Sequence, residues 1–454
     1  MSQRLDMLNG GLIKKIIIFT LPIMLQSLLQ TLYNSADLII VGTFAGGASL
    51  SAVGATTAIY NVFLSLFIGM SAGVDVVCSH HFGRGDYKGV KSIIDTSVVT
   101  GPLMGIIVAV IGFFTIEPIL VLMDTPEEAG VLSMAVLYLK VLMIGVPFSV
   151  FFNFCSAVLR TAGETQKPFI FLCTSGILNV VLNVVMVAGF RLDVLGVAIA
   201  TVVSQVVSAI MILICLLRNK GLFTFSFRNV LFSWKKLWLI TRVGLPAGIQ
   251  SCAFNLSNSF LQAGVNSFGP DAIEGSTAVA TVEGMMYVTL ASFQNAITTF
   301  VSQNIGANNL DRARKSFRYS LYMTIVLGIV LGVGMFLLGD FVMAIFIKGN
   351  PIAMDYAYQR YMITYPVYFL AGIMAVMPGA IRGMGYSVAP SVIAIVGACG
   401  VRIAWIYTVF QANRTLTTLY LVHPVTWVIT IVSYSITYII VLKKTRKKLQ
   451  IIES

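Results

Sequence analysis

The sequence has few charged residues. Only 11% of its 454 residues are Asp, Glu, Lys or Arg, whereas soluble domains have about 25%. Hydrophobic residues make up 57% of the chain. This composition excludes an ordinary soluble domain and indicates a membrane protein with several spanning segments.

The sequence also lacks the motifs of several enzyme classes. It has no nucleotide-binding P-loop and no HExxH zinc motif, which argues against an ATP-driven pump and a metalloprotease. Its six cysteines include no CxxC pair, so neither a disulfide framework nor a zinc site is predicted. Gly69–Gly73 matches GxSxG but lies inside an apolar segment, and we interpret its small residues as a helix-packing surface. We expect no enzyme and no cofactor.

One polar cluster deserves comparison with a metal site. Side chains that can bind metals gather at the end of one apolar segment: Asp75, Cys78, His80, His81 and Asp86. Their helical spacing brings at most three ligands to one face, and a structural metal site needs four. We interpret the cluster as a solvated helix end or an inner gate, and we predict no metal site.

Twelve segments are long and apolar enough to cross a bilayer, which takes about 20 residues. They lie near residues 16–42, 52–80, 93–121, 131–157, 168–189, 195–217, 237–266, 276–304, 317–346, 356–380, 387–411 and 416–442. The predicted fold class is therefore an all-α integral membrane protein with twelve transmembrane helices.

Basic residues concentrate at both ends of the chain and in every second connector. Examples are Arg160 after the fourth segment and Arg382 after the tenth, whereas the connector near 122–130 is acidic. The positive-inside rule then places both termini in the cytoplasm. This distribution accounts for the net charge of +12 without a nucleic-acid partner, and we expect a multi-pass protein of the cell membrane.

The two halves of the chain repeat each other. Leu21–Ser27 (LPIMLQS) matches Leu245–Ser251 (LPAGIQS), which begins 224 residues later, and Arg160–Pro168 matches Arg382–Pro390 at an offset of 222. Six segments per repeat make the repeats parallel in the membrane. We predict two pseudo-symmetric six-helix lobes, residues 1–217 and 237–454, joined by a linker at 218–236. Such a pair suits transport by alternating access.

Asp37 lies inside the first apolar segment. An ionised carboxylate there costs roughly 2.5–3.5 kcal/mol, and an intramembrane ionisable residue is by default a functional-site hypothesis. We interpret Asp37 as the ion-binding carboxylate of a transporter. Pro22 removes a backbone hydrogen bond earlier in the same segment and permits a bend.

The second half lacks this carboxylate, because Leu261 stands at the position that matches Asp37. Ion coupling is therefore predicted to be asymmetric. The second half has its own intramembrane candidates in Glu283 and Arg402. We predict that these two residues pair, either as a structural salt bridge or as part of a binding site.

The chain resembles the MATE (multidrug and toxic compound extrusion) transporters, within the larger superfamily of multidrug, oligosaccharidyl-lipid and polysaccharide exporters. The resemblance covers nearly the whole chain. It rests on motifs that follow one another in order: Leu21-Pro22, Gln26-Ser27, Asn34–Asp37, Val41-Gly42, Gly83, Leu159–Gly163, Pro168, Asn179, Asn183, Gly196–Thr201 and Ser302–Ala307.

The resemblance implies a V-shaped pair of lobes that exports organic, often cationic, compounds in exchange for Na⁺ or H⁺. It implies that Asp37 is the coupling residue and that Asn179, Asn183 and Thr201 complete the ion site. Many relatives have a carboxylate where this chain has Asn183, which leaves both coupling ions open. The expected partners are small organic substrates, Na⁺ or H⁺ and the lipid bilayer, and the expected state is a monomer.

Two other functions stay open. A flippase for a lipid-linked precursor would place several basic residues inside its cavity, and here few lie within the segments: Lys140 and Arg402, with Arg242 and Arg360 near segment ends. A channel would show ion flux without obligate exchange. The sequence favours the exporter over both.

Overall fold

The structure is a computed structural model that describes residues 5–123, 127, 130–219 and 221–453. Four charged residues of the predicted charge pattern, Arg4, Asp124, Glu128 and Lys220, lie outside these ranges. Helices account for the regular secondary structure of the described part.

The first half forms six helices at the predicted segments. They are α1 (Leu12–Phe44), α2 (Gly47–Gly83), α3 (Tyr87–Leu122), α4 (Val131–Thr161), α5 (Gln166–Asn183) and α6 (Asp193–Arg218). A wider π-helical turn, Val184–Gly189, continues α5.

The helices of the second half are interrupted more often. Its helices are α7 (Trp234–Asn266), α8 (Pro270–Gly306), α9 (Leu310–Leu337), α10 (Gly339–Phe346), α11 (Pro351–Thr364), α12 (Phe369–Gly383), α13 (Val388–Ile393), α14 (Val401–Tyr407), α15 (Val409–Ala412), α16 (Leu416–Tyr420) and α17 (Val422–Glu453). A short 3₁₀ turn, Tyr365–Val367, leads from α11 towards α12, and a π-helical turn, Ala394–Gly400, joins α13 to α14.

All twelve predicted segments are helical, which confirms the all-α membrane class. Within the described residues, nine helical stretches are long and apolar enough to cross a membrane, or ten if α11 and α12, which meet at 53°, form one bent span. The polar helices α7 and α8 fall outside that set, although their 33 and 37 residues exceed the length a bilayer needs.

The chain divides into two compact units. The first unit contains Leu25–Gly248 and the N-terminal residues up to Asp6, and the second contains Met7–Met24 and Ile249–Ser454. Helices α1 and α7 therefore each contribute to both units, and they change unit at repeat-equivalent positions, Leu25 and Ile249. Each change follows the helix proline, Pro22 or Pro246, by three residues. The predicted lobe boundaries at 217 and 237 stay a prediction.

The chain between α6 and α7 is held against α3. The Lys91 ammonium donates to the Asp95 carboxylate at 2.6 Å and to the Thr224 carbonyl at 2.9 Å, and Asp95 accepts from the Leu231 N–H at 2.9 Å. Phe223 and Phe225 are buried in the first unit's core. These contacts make the described residues 221–233 of the connector part of the first unit.

The polar cluster at the end of α2 has structural partners. Lys236 donates to His81 Nε2 at 2.9 Å, so the ring hydrogen lies on Nδ1, which donates to Asp86 at 2.7 Å. Asp86 also caps α3 by accepting from the Gly89 N–H at 2.9 Å. The Gly89 N–H and the His81 ring hold the pKa of the Asp86 carboxyl below its usual value.

Gly69 and Gly73 lie against α7, as the helix-packing interpretation predicted. A Cβ atom on Gly73 would meet the backbone of Gly244 at 2.8–2.9 Å, and one on Gly69 would meet the backbone at Gly248. Two small-xxx-small pairs therefore face each other within the first unit. Such close approach is how membrane helices gain van der Waals packing where lipid removes the hydrophobic drive.

Gly73→Ala is expected to destabilise the protein, because the added methyl group meets backbone that cannot rotate away. Overpacking of this kind costs about 1–3 kcal/mol. The thermal unfolding midpoint of purified protein in detergent measures the effect. Gly54→Ala is the matched control on the same helix, since nothing lies within 4 Å of a Cβ atom at Gly54. Equal midpoints for the two variants would contradict the packing interpretation.

Two arginines assigned to connectors by sequence are largely buried at helix ends. Arg160 lies in α4 and pairs with Asp75, Nε to Oδ2 at 3.5 Å. Arg382 lies in α12, is 4% exposed and donates to Gln250. The sequence-based prediction was wrong here because it ended each segment where the run of apolar residues meets a charged residue. The helix itself continues past that residue for as long as its backbone hydrogen bonds form.

Candidate functional site

The first unit brings the four predicted ion-site residues together. Asp37 comes from the second half of α1, Asn179 and Asn183 from one face of α5, and Thr201 from α6. The i, i+4 spacing aligns the two amides. Asn183 is fully buried, Asn179 is buried, and Asp37 and Thr201 are partly buried.

These side chains form a continuous hydrogen-bonded row. Asn183 Nδ2 donates to Asp37 Oδ1 at 2.5 Å and approaches Asn179 Oδ1 at 3.3 Å. Asn179 Nδ2 in turn donates to Thr201 Oγ1 at 3.3 Å. The amide orientation of Asn183 is the one that an ionised Asp37 requires, because a carboxylate can only accept.

The row leaves one fully buried acceptor unused. Asn183 Oδ1 is buried and has no hydrogen-bond partner. A buried polar atom without a partner is rare in proteins and calls for an explanation. An unused amide oxygen next to a carboxylate can bind a cation. The cation would balance the negative charge of Asp37 and would be coordinated by the free lone pairs of Asn183 Oδ1.

The donor set fits Na⁺ as well as a proton. Na⁺ is a hard cation that prefers oxygen ligands, and carboxylate, amide and hydroxyl oxygens of Asp37, Asn183, Asn179 and Thr201 all lie in this hydrogen-bonded row. A proton needs only Asp37. Its hydroxyl form would then supply a donor, and the Asn183 amide could turn to accept from it.

The polar region extends to two residues that the sequence reasoning missed. Gln205 lies one turn after Thr201 on α6 and donates to the Tyr60 hydroxyl at 2.7 Å, while its own Oε1 is buried and unpartnered. Tyr60 lies close enough to Asp37 for the two groups to interact electrostatically. The sequence contained part of this information, because Gln205 is a polar residue one helical turn from the predicted site residue Thr201.

The equivalent place in the second unit is apolar. Leu261 and Trp405 stand at the positions that match Asp37 and Asn183, and both belong to one hydrophobic cluster. The predicted absence of a second coupling carboxylate thus corresponds to a packed hydrophobic contact. Among the described residues, the second unit therefore has no carboxylate at the place that matches Asp37, and the role of the polar row in the first unit stays a prediction.

The predicted pair between Glu283 and Arg402 is wrong. Glu283 pairs with Arg360, Oε2 to Nη2 at 2.5 Å, and also accepts from the Thr364 hydroxyl at 2.7 Å. Arg402 instead donates to Asn258 Oδ1 at 2.7 Å. Sequence reasoning placed Arg360 near a segment end, but α11 and the turn after it carry Arg360 into the interior, where it is 5% exposed.

The apolar helices built in two repeats, with a carboxylate and amides inside one of them, define a multi-pass membrane transporter rather than an enzyme. The sequence profile of the MatE family matches residues 22–185 and again 246–408. The chain therefore belongs to the MatE family. The two matches begin at Pro22 and Pro246, the anchors of the internal repeat.

Known relatives agree with this assignment. The chain is 27% identical over 381 residues to the probable multidrug resistance protein YpnP of Bacillus subtilis, covering 84% of both chains. It is 27% identical over 390 residues to the probable multidrug resistance protein NorM of Thermotoga maritima, covering 84% of this chain and 82% of the relative. An outward-facing multidrug resistance MATE transporter of the MOP superfamily has the same fold, with a TM-score of 0.87 at 20% identity over 100% of this chain and 99% of that one.

Proposed function

We propose that this protein exports small organic molecules, often cationic, from the cytoplasm in exchange for Na⁺ or H⁺ bound at Asp37. The observation that carries the proposal is the unused oxygen of Asn183 beside the Asp37 carboxylate. The names of YpnP and NorM as multidrug resistance proteins support diverse organic substrates.

Coupling would work through α1. Asp37 lies in the half of α1 that belongs to the first unit, and Pro22 lies in the half that belongs to the second. Ion binding at Asp37 changes the charge of a partly buried group and therefore the preferred packing of the α1 residues around it. Pro22 provides a point where the helix can bend at low cost, because one backbone hydrogen bond is already missing.

Transport in proteoliposomes tests the proposal. Purified protein is reconstituted into vesicles loaded with Na⁺ or H⁺, so that the ion gradient is directed outward. A fluorescent organic cation is added outside, and valinomycin and K⁺ hold the membrane potential at zero. We expect one gradient to drive substrate accumulation, and the effective gradient identifies the coupling ion. Absence of transport under both gradients would overturn the exporter proposal.

A flippase for a lipid-linked precursor is the second candidate. It gains support from Arg360, Arg382 and Arg402, which are all buried in the second unit. From the sequence alone, we expected fewer basic residues in the interior of the protein than the structure contains. Movement of a lipid-linked precursor without gradient-driven export of the organic cation would favour this function.

The proposal also includes the arrangement in the membrane. We propose that the protein acts as a monomer in the cell membrane with both termini in the cytoplasm. The connector charges support this orientation through the positive-inside rule.

Asn183→Asp is expected to strengthen Na⁺ dependence. The new carboxylate would lie in hydrogen-bond range of Asp37, and two like charges so close favour a bound cation. We expect the Na⁺ concentration for half-maximal efflux to fall by roughly tenfold, the equivalent of about 1.4 kcal/mol. Efflux measured over a series of Na⁺ concentrations at fixed pH gives this value. The control for an added charge is Asn34→Asp, because Asn34 is an exposed residue of α1. An unchanged Na⁺ response in Asn183→Asp would exclude Asn183 from the ion site.

A further inference from the structure

The two units bury charges of opposite sign. Among the described residues, the buried charged side chains of the first unit are the acids Asp75, Asp95 and Glu164. Those of the second unit are Arg360, Arg382, Arg402 and Glu283. Glu283 is already paired with Arg360. The second unit therefore contains two buried guanidinium groups without a counterion.

Arg382 lacks the kind of partner that its repeat equivalent, Arg160, has. In the first unit Arg160 pairs with Asp75. In the second unit Thr298 stands at the position that matches Asp75, and its hydroxyl bonds to the Gly379 carbonyl at 3.3 Å. Arg382 is left with amide oxygens: Gln250, and Gln294 at 2.7 Å when that amide is turned to present its oxygen.

Arg402 is in the same situation. It is 1% exposed and its Nη1 donates to the Asn258 amide oxygen at 2.7 Å. The Nε atoms of both Arg402 and Arg382 are buried and have no hydrogen-bond partner. Within the described residues, no carboxylate lies within ion-pairing distance of either arginine. Uncharged amides satisfy some N–H groups but do not neutralise the charge, and an unneutralised buried charge is costly.

Both arginines are directed at one face of α7. Gln250, Phe254 and Asn258 follow one another at i, i+4 and i+8, and we call them the α7 stripe. Phe254 stacks on Tyr287 with ring centroids 5.9 Å apart, and the Arg402 guanidinium lies 5.5 Å from the Phe254 ring centroid. Asn258 is exposed, and Gln250 and Phe254 are only partly buried. A ligand can therefore reach the stripe.

We infer that the second unit carries a site for an organic anion with a planar apolar body, formed by Arg382 and Arg402 beside the α7 stripe. The carboxylate or phosphate of the ligand supplies a counterion for Arg402, the arginine that lies over Phe254, and the ring of the ligand packs on the aromatic pair Phe254 and Tyr287. Guanidinium groups bind such oxyanions with charge-assisted hydrogen bonds. Its use in transport rests on the proposed function, whereas binding itself does not.

Binding to the purified full-length protein in detergent tests the site. The probe is 2-naphthoate, and 2-naphthamide has the same ring system without the charge. Isothermal titration calorimetry is expected to show the amide binding at least about tenfold more weakly, because it lacks the charge-assisted bond. Equal affinities would overturn the inference.

Two kinds of variant locate the site. Arg402→Gln is expected to weaken naphthoate binding by about tenfold or more and to leave binding of the amide unchanged. Asn258→Asp places a carboxylate beside Arg402, so we expect a higher thermal unfolding midpoint and loss of naphthoate binding. This second variant adds a counterion and keeps the test valid if Arg402→Gln fails to fold. Naphthoate affinity that is unchanged in Asn258→Asp would overturn the inference.

Three controls show what causes a change in naphthoate binding. Arg414→Gln removes an exposed positive charge of the same unit and should leave naphthoate binding intact. Competition by phosphatidylglycerol but not phosphatidylcholine would assign the site to a lipid headgroup, whereas no competition assigns it to a soluble anion. Asp37→Asn should keep naphthoate binding even if it loses transport, so failure of the ion-coupling proposal can be told apart from failure of the anion site.

Discussion

Asp37→Asn is expected to abolish gradient-driven export. A hundredfold ion gradient stores about 2.7 kcal/mol, since each tenfold ratio is worth about 1.4 kcal/mol. One-for-one exchange can then concentrate a substrate by up to roughly a hundredfold at zero membrane potential. Asparagine preserves the size of Asp37 but neither accepts a proton nor neutralises Na⁺. The accumulation ratio should therefore fall to about one, as measured in proteoliposomes under each gradient.

Two further variants test the Asp37 effect. Asp355→Asn removes a carboxylate from an exposed position on α11 and should export at the wild-type level. Asp37→Glu keeps the charge and should retain part of the activity. If Asp37→Asn still concentrates substrate, Asp37 is not the coupling residue, and Glu283 becomes the next candidate in the chain.

Composition predicted the fold class because the bilayer dictates it, and the internal repeat predicted that the second half follows the first. Lipid requires long apolar helices, so hydropathy located most of the segments, whereas α7 and α8 are long enough to span but less apolar than the other spanning helices. The repeat also predicted details: Leu261 matches Asp37, and the structure places it in a hydrophobic cluster. Asn179 and Asn183 were placed on one side of α5 by helical spacing alone.

Side-chain partners across helices could not be predicted in the same way. Glu283 had several arginines as possible partners, and hydropathy gave no information about which helix faces it. The segment that carries Arg360 is broken by the turn Tyr365–Val367, and its two parts meet at 53°. Only the resulting geometry decides that Arg360 rather than Arg402 reaches Glu283.

The same limitation applies to polar residues that lie outside the motifs. Gln205 and Tyr60 look unremarkable in sequence, because single polar residues in membrane helices often serve helix packing. Their hydrogen bond next to the ion site depends on how α2 and α6 pack. Contacts of this kind are set by tertiary structure and not by helical periodicity.

The Glu283–Arg360 pair leads to the largest expected loss of stability. The pair is almost completely buried, and its hydrogen bonds extend to neighbours on both sides. Arg360 Nη1 donates to the Ser276 hydroxyl and carbonyl, Thr364 donates to Glu283, and the Tyr368 hydroxyl donates to the Glu283 carbonyl at 2.6 Å. The Arg360 guanidinium also lies 5.4 Å from the Tyr420 ring centroid.

Glu283→Leu is expected to destabilise the protein by about 3–5 kcal/mol, because it leaves the Arg360 charge buried without a counterion. Arg360→Met should cost a similar amount by leaving Glu283 unpaired. The double variant should cost less than either single variant, since apolar side chains of similar volume can replace a buried pair at little cost. Unfolding in detergent across this double-mutant cycle gives the coupling between the two residues.

Transport by the double variant separates a structural pair from a functional one. If the pair only stabilises the second unit, the double variant should fold and still export substrate under the effective ion gradient. Loss of export in a stably folded double variant would contradict that interpretation and give Glu283 a role in coupling or substrate binding. Glu283 is the one buried carboxylate among the described residues of the second unit. A role for Glu283 in coupling would therefore mean that both units contribute a functional carboxylate. Ion coupling would then no longer depend on Asp37 alone.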